Sequence, residues 1–342
     1  MLANRDIAEL LVEEAERASG SRSEALLRAA KNVFLWPEEA NEVAARGDSL
    51  LSLAGIHGSL ARRIRAWLDA PPPVPEPAES RREFLTLAEA KQVLRQHPAW
   101  RKKAKGDLQM HTTWSDGEST ILEMTAASIE RGYRYIALTD HTAGLKVANG
   151  MDMKRLQAQA REIAQVNEAL RSNGMDFTVL HSVEMNLSPD GSGDMKPAAL
   201  QRLDLVLGSF HSSLNARGDQ TARYLAALRN PNVHILGHPQ TRRWNLRTGL
   251  DADWPRVFSE AARLGKAVEV DGYAERQDLR LSLLLMAKKE GCLISLGSDA
   301  HKPIQLEYLD FALAAVCLAK IPASRILNIW EAAKLKTWAR ER

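Results

Sequence analysis

Tyr135-Ile136-Ala137-Leu138-Thr139-Asp140-His141 decides the fold: four apolar residues form a short buried strand, and a carboxylate and an imidazole follow directly on its end. The pattern recurs in both directions. Upstream, Gln109-Met110-His111 follows the first strand, with Asp116 in the next turn. Downstream, strands at 177–180, 205–207, 233–236, 267–270 and 293–296 are predicted. Four of them run into chemistry-bearing residues: His181-Ser182-Val183-Glu184, Ser209-Phe210-His211, Gly237-His238-Pro239 and Gly297-Ser298-Asp299-Ala300-His301. Stretches at 122–131, 156–170, 221–228, 257–264 and 279–289 have helical spacing. Strand-helix alternation repeated six or seven times predicts an α/β fold with a parallel sheet, and that many units in one domain favour a closed barrel. The residues after each strand then share one rim.

The first 70 residues read differently. Ile7, Leu10, Leu11 and Ala15, then Leu26, Leu27 and Ala30, then Leu60, Ile64, Trp67 and Leu68 recur at helical intervals, which predicts a small all-α domain over 1–70. Ala70-Pro71-Pro72-Pro73-Val74-Pro75-Glu76-Pro77 cannot continue a helix. A linker over 71–105 is therefore expected, with a helix at 86–96 and a basic patch at its end, before the large domain at 106–342.

Composition is that of an ordinary globular chain of 342 residues. The two cysteines, Cys292 and Cys317, lack CxxC spacing, so neither a disulfide framework nor a thiolate metal site is expected, and a cytoplasmic location fits. No apolar run reaches the roughly 18 residues of a membrane span, and acidic residues come early, unlike a signal peptide. A net charge of +3 does not identify a nucleic-acid binder. Only two local clusters, Arg62-Arg63-Arg65 and Arg101-Lys102-Lys103-Lys105, suggest anionic partners.

Five of the nine histidines, His111, His141, His211, His238 and His301, fall at the ends of separate strands, with Asp116, Glu184 and Asp299 among them. A lone histidine beside a strand is usually a packing residue, and His57, His97, His181 and His234 are read that way. The joint occurrence of the other five points to metal. Imidazole and carboxylate suit Zn²⁺, Mn²⁺ or Fe²⁺, and so many ligands imply two or three ions, with a carboxylate such as Glu184 bridging. Asp140 is expected to orient a ligand or a leaving group. Arg223, Arg242 and Arg276 are candidate phosphate contacts, Arg276 first.

The segments 106–117, 135–141 and 298–301, with Glu184, Ser209-Phe210-His211, 234–239 and 269–273, resemble the PHP (polymerase and histidinol phosphatase) domain, and most closely that of bacterial family X DNA polymerases. The resemblance implies a distorted (β/α)7 TIM-like barrel with three metal positions. Gln109, His111, Glu184 and Asp299 would surround the first; Glu184, His211 and His238 the second; Asp116, His141 and His301 the third. Gln109 departs from the family's His-x-His, and a neutral amide is a weaker ligand. The N-terminal residues 4–11 and 53–64 are similar to the same polymerases' first domain. The latter resembles a helix-hairpin-helix whose Gly55, His57, Gly58, Arg62 and Arg63 would meet a DNA phosphate, with His57 where the second glycine usually stands. No room remains for the nucleotidyl-transfer core, so polymerase activity is not expected.

The function expected is a metal-dependent phosphoesterase using a metal-activated hydroxide. The leading reading is a 3′-5′ exonuclease or 3′-end phosphodiesterase on DNA, with Asp140 and Arg276 as catalytic candidates. The alternatives are a phosphatase on a small phosphorylated metabolite, as in histidinol phosphate hydrolysis, and a catalytically silent DNA-binding module. No membrane partner is expected, and a polymerase or repair partner is left unnamed.

Overall fold

The computed structural model describes all 342 residues and divides them into two compact units, Met1–Gln96 and His97–Arg342. The first is all-α: α1 (Asn4–Glu16), α2 (Gly20–Phe34), α3 (Ala40–Ala45), α4 (Gly58–Asp69) and α5 (Leu87–Gln96). Ile7, Leu11, Val33, Trp36 and Ile64 are its buried centre. Residues 71–78 have no regular structure, as the prolines require. The boundary nevertheless falls later than the expected 1–70 and 71–105 division. Arg81 pairs with Glu9 at 2.9 Å, both side chains 8% exposed, and Phe84, Leu87 and Leu94 are buried. Thr86 caps α5 reciprocally with Glu89: the Glu89 N–H donates to Thr86 Oγ1 and the Thr86 N–H to Glu89 Oε2. Apolar residues beyond the proline stretch thus complete the first unit's core.

The second unit opens with α6 (Ala99–Lys103). It continues as β1 (Gly106–Asp107), α7 (Ile121–Glu130), β2 (Tyr135–Leu138), α8 (Met153–Ser172), β3 (Thr178–Leu187), α9 (Pro197–Leu200), β4 (Leu205–Phe210), α10 (Thr221–Arg229), β5 (Ile235–Leu236), α11 (Trp254–Leu264), β6 (Ala267–Asp271), α12 (Leu281–Glu290), β7 (Leu293–Gly297), α13 (Leu309–Leu318) and α14 (Ala332–Arg340). All seven strands are parallel and neighbour one another in chain order. Past β1 and β7 the backbone closes the ring: Leu108 N donates to Leu296 O, Asp299 N to Gln109 O and His111 N to Ala300 O. The barrel is distorted because β3 changes partner along its length. Its residues 178–181 pair with β2 and 182–187 with β4, while β5 is only two residues long.

The barrel's lower core holds Leu108, Tyr135, Leu180, Leu205, Leu207 and Ile235, sealed by Leu327, Leu335 and Trp338 from the C-terminal segment. Asn328 fastens that plug: its Nδ2 donates to the Gly106 and Leu296 carbonyls, and its Oδ1 accepts from Leu296 N. Strand alternation then lifts the next inward positions out of the apolar layer, so that Leu180 gives way to Glu184 along β3. Outward, Ile136, Leu138 and Val179 pack on Ile121, Met124 and Ile163 of the helices. The basic patch at 101–105 is largely tied down, with Arg101 paired to Asp310, Lys105 to Glu331, and Lys103 over the Trp100 ring.

Candidate metal centre

Glu184, 1% exposed, sits among four imidazoles. Its Oε1 is 2.7 Å from His238 Nε2 and 3.2 Å from His211 Nε2; its Oε2 is 3.3 Å from His141 Nδ1 and 3.5 Å from His111 Nε2. His111 Nε2 is 3.0 Å from Asp299 Oδ1. Asp116 lies 3.6 Å from both His141 Nε2 and His301 Nε2. The rings of His141 and His301 both stack on His111 at 4.5 Å. Side-chain exposure rises from 0% at His111 to 22% at His301 and 33% at Asp116, so the cluster has a buried floor and an open rim.

Buried polar atoms normally have partners. Here His111 Nδ1 and Nε2, His141 Nδ1, His211 Nε2, Glu184 Oε2 and Asp299 Oδ2 make no hydrogen bond. Two groups place their ligand atoms within 4.8 Å of one another: His111, Asp116, His141 and His301; and His141, Glu184 and His211. Orphaned nitrogens and carboxylate oxygens converging without thiolate fit hard-to-borderline divalent cations. His141 faces both groups, one nitrogen to each, which the expected three-way partition did not anticipate.

Two tautomers are set by the surroundings. A carbonyl oxygen only accepts, so His301 Nδ1–H donates to the Asp299 carbonyl at 2.8 Å, and His211 Nδ1–H donates to Asn186 Oδ1 at 3.1 Å. Each ring thereby turns a bare Nε2 toward the centre. Asn186 is itself fixed: its N–H donates to Thr142 Oγ1, whose hydroxyl donates to Asp194. Two candidate ligands, Asp299 (φ 53°) and His238 (φ 21°), hold positive φ, a strain of about 1–3 kcal/mol each that persists where the surroundings over-determine it.

Electrostatics follow from the packing. Burial opposes ionisation of Glu184, but His141, His211 and His238 hold its carboxyl well below the usual range. Burial likewise opposes charge on Asp116, yet His301, His111 and His141 bring it to about 2. Burial alone would depress His111; Asp299, Glu184 and Asp116 overcome it and raise the imidazole to about 9. His141, dominated by burial, falls to about 3.

Gln109 turns its carboxamide to a neighbouring carboxylate. With its NH₂ turned to Glu269, its carboxamide donates to Oε1 at 2.6 Å and Oε2 at 3.1 Å. Glu269 also receives the His238 N–H at 2.7 Å. A side chain at Gly297 would collide with Gln109 and Glu269, so glycine is required for this close approach. Gln109 is therefore engaged by a buried carboxylate, whose acidity is weakened by burial and then by neighbouring Asp271. Asp140 is spent on the loop after β1: it accepts from Thr112 N and Oγ1, Ser115 Oγ and Gln159 Nε2. That geometry makes it a positioning residue, with no lone pair left for a reacting group. Arg276 does reach the centre, with Nη1 3.4 Å from Asp299 Oδ2 and 3.8 Å from Asp271 Oδ2. Arg223 packs over the Phe210 ring and donates to the Ser212 and Ser213 carbonyls, while Arg242 is buried, so neither presents an open guanidinium.

The sequence alone assigns no site role to Asn186, Glu269 or Asp278. Asn186 had a signal: it follows Glu184 by two and therefore shares its face of the strand. Glu269 was a charged residue inside an apolar strand run. Asp278, which accepts from Gln240 N and Thr241 N and so braces the loop after His238, had none.

In the first unit, Gly55 (φ 74°) packs against Asn32 so closely that a Cβ would lie 2.2 Å from its amide nitrogen. His57 is the N-cap of α4, its Nδ1 accepting from Leu60 N at 3.4 Å and meeting Ser59 Oγ at 2.8 Å. Gly58 opens the helix, Arg62 is exposed and makes no ion pair, and Arg63 is paired with Glu14.

Residues 107–278 match the PHP domain family. Among known proteins, the chain is 35% identical over 276 residues to the "DNA polymerase/3'-5' exonuclease PolX" of Bacillus subtilis, a match covering 80% of this chain and 46% of that protein. The chain thus spans about half of that relative's length. It is 28% identical to a "Probable phosphatase" of Syntrophotalea carbinolica, covering 66% of this chain and 92% of that one. A histidinol phosphate phosphatase from Lactococcus lactis, solved with zinc, L-histidinol and phosphate, aligns at a TM-score of 0.48 and 17% identity, over 64% of this chain and 95% of that one. With the family match running through just over half of its residues, the chain belongs to the PHP domain family.

Proposed function

We propose that this PHP-family phosphoesterase removes nucleotides from the 3′ end of DNA, as a 3′-5′ exonuclease or 3′-end phosphodiesterase. The observation that carries this reading is the extent of the likeness to the Bacillus subtilis protein, which takes in 80% of the chain and so cannot be confined to the family-matched half. The ions expected are two or three Zn²⁺, Mn²⁺ or Fe²⁺, held by His111, Asp116, His141, Glu184, His211, His238, Asp299 and His301. Bound there, divalent cations neutralise phosphate oxygens and lower the pKa of water.

The chain's own residues do the rest. Glu184 stays ionised because imidazoles surround it, and it balances the positive charge of the floor. His211 and His301 keep Nε2 bare because their Nδ1–H groups donate to Asn186 Oδ1 and the Asp299 carbonyl. Arg276 offers a guanidinium at the Asp299 side, where it can engage a phosphate oxygen. Asp116, ionised and a third exposed, marks the rim through which substrate enters. Gly55, His57, Gly58 and Arg62 of the first unit supply the expected contact to the DNA backbone, Arg63 contributing less because Glu14 holds it.

A second reading, hydrolysis of a small phosphomonoester, is favoured by the probable phosphatases, which align over most of their own length. Truncation separates the two. Removing residues 1–96 should weaken DNA hydrolysis while sparing turnover of a small phosphomonoester under the exonuclease reading. Unchanged DNA hydrolysis by the truncated chain would remove the first unit's role.

A further inference from the structure

We propose that the outer wall of the barrel carries a second binding site, between α8 and the segment leading into α9, for a small organic anion with a flat apolar body. A cavity of about 470 Å³ opens there, within the range of small-molecule sites. Leu156 and Ala199, both buried, contribute to an apolar wall. Arg161, Lys196 and Arg202 line the same hollow; all three are exposed, and none makes an ion pair or a side-chain hydrogen bond. No acidic side chain lines it. By contrast, Arg171 is paired with Glu168 and Arg229 with Glu260. Three uncompensated cations around one cavity repel one another, and a bound anion relieves that repulsion.

The remaining polar side chain of β3 in this wall is His181. Its Nε2 is shielded from solvent and has no partner in the protein. Burial holds the ring neutral near pH 7, with a pKa of about 4, so it lines the wall without adding charge. Leu180 on the same strand belongs to the barrel interior, which puts His181 on the face opposite Glu184. The site is therefore separate from the metal centre and does not depend on the exonuclease reading. Apolar wall and converging cations together select a ring-sized body bearing phosphate or carboxylate, in preference to inorganic anions or neutral aromatics.

The test is titration calorimetry on the full chain with 1-naphthalenesulfonate, beside neutral 1-naphthalenemethanol and inorganic sulfate. The proposal expects one saturable site for the sulfonate, with the other two probes at least about tenfold weaker, because both the ring and the charge contribute. His238→Ala should keep that site. Arg161→Glu/Arg202→Glu should weaken it at least about tenfold, and Lys196→Glu alone should weaken it in the same direction, with the circular dichroism melt confirming folding. Displacement by deoxyadenosine monophosphate assigns a phosphate-bearing class, and displacement by indole-3-acetate a carboxylate-bearing one. Loss of binding in His238→Ala, unchanged binding in the charge-reversed variants, or displacement by neither competitor overturns the proposal.

Discussion

Asn186 shows how much of the centre depends on a residue that carries no charge. It fixes the His211 tautomer, and such partners of metal-binding histidines are worth roughly 10–100-fold in metal affinity. Asn186→Ala should therefore lower affinity for Mn²⁺ or Zn²⁺ by about that factor, measured by calorimetry, with the fold intact. Unchanged affinity would show that His211 is oriented by other means. Arg276→Lys should lower kcat/KM by about 10²–10³-fold without lowering metal affinity, since an ammonium cannot reproduce the guanidinium fork beside Asp299. A kcat/KM near wild type would place Arg276 among purely structural arginines. The strand-end histidines could be read from sequence because each lies within a few residues of the end of an apolar run. Gln109 and Asp140 were harder, since their partners, Glu269, Ser115 and Gln159, come from positions no local pattern connects.

Among the elements, β3 joins fold and chemistry. Its lower half pairs with β2 and its upper half with β4, which carries Glu184 and Asn186 above the apolar layer. The short run Phe177-Thr178-Val179-Leu180 predicts the start of this strand, but its continuation to Leu187 is polar in alternation and does not stand out. The neighbouring β4–β5 pair contains a pH-sensitive contact: Val206 N–H donates to His234 Nδ1 at 2.9 Å, and burial holds His234 to a pKa of about 4. The unfolded chain, titrating near its ordinary value of about 6.5, binds more protons between those limits, so this contribution to stability is lost as pH falls from about 6.5 to about 4. His234→Gln should flatten that part of the stability profile in urea unfolding at pH 7 and pH 5, and an unaltered slope would exclude the contact. In α4, Arg62→Ala should weaken DNA binding and reduce its salt dependence by about one phosphate contact, more than Arg63→Ala, whose side chain is already held by Glu14. Equal effects of the two substitutions would contradict that division of labour.

At the scale of the whole molecule, alternation of strands and helices was enough to predict a closed parallel barrel, because seven such units leave few other ways to bury both faces of each strand. The domain boundary was less legible. A proline run signals a break in regular structure, but it does not say which side the following helix packs on, and here Arg81, Phe84 and Leu87 return to the first unit. The chain joins a helical unit to a barrel and covers 46% of a longer relative, and what this combination does to DNA can be measured. The direct measurement is hydrolysis of 5′-end-labelled single-stranded and recessed DNA with Mn²⁺, with Zn²⁺ and with chelator, beside Glu184→Gln and His238→Ala. The account predicts a ladder of products shortened stepwise from the 3′ end, requiring metal and abolished in both variants. Intact DNA alongside rapid turnover of a small phosphomonoester would contradict it.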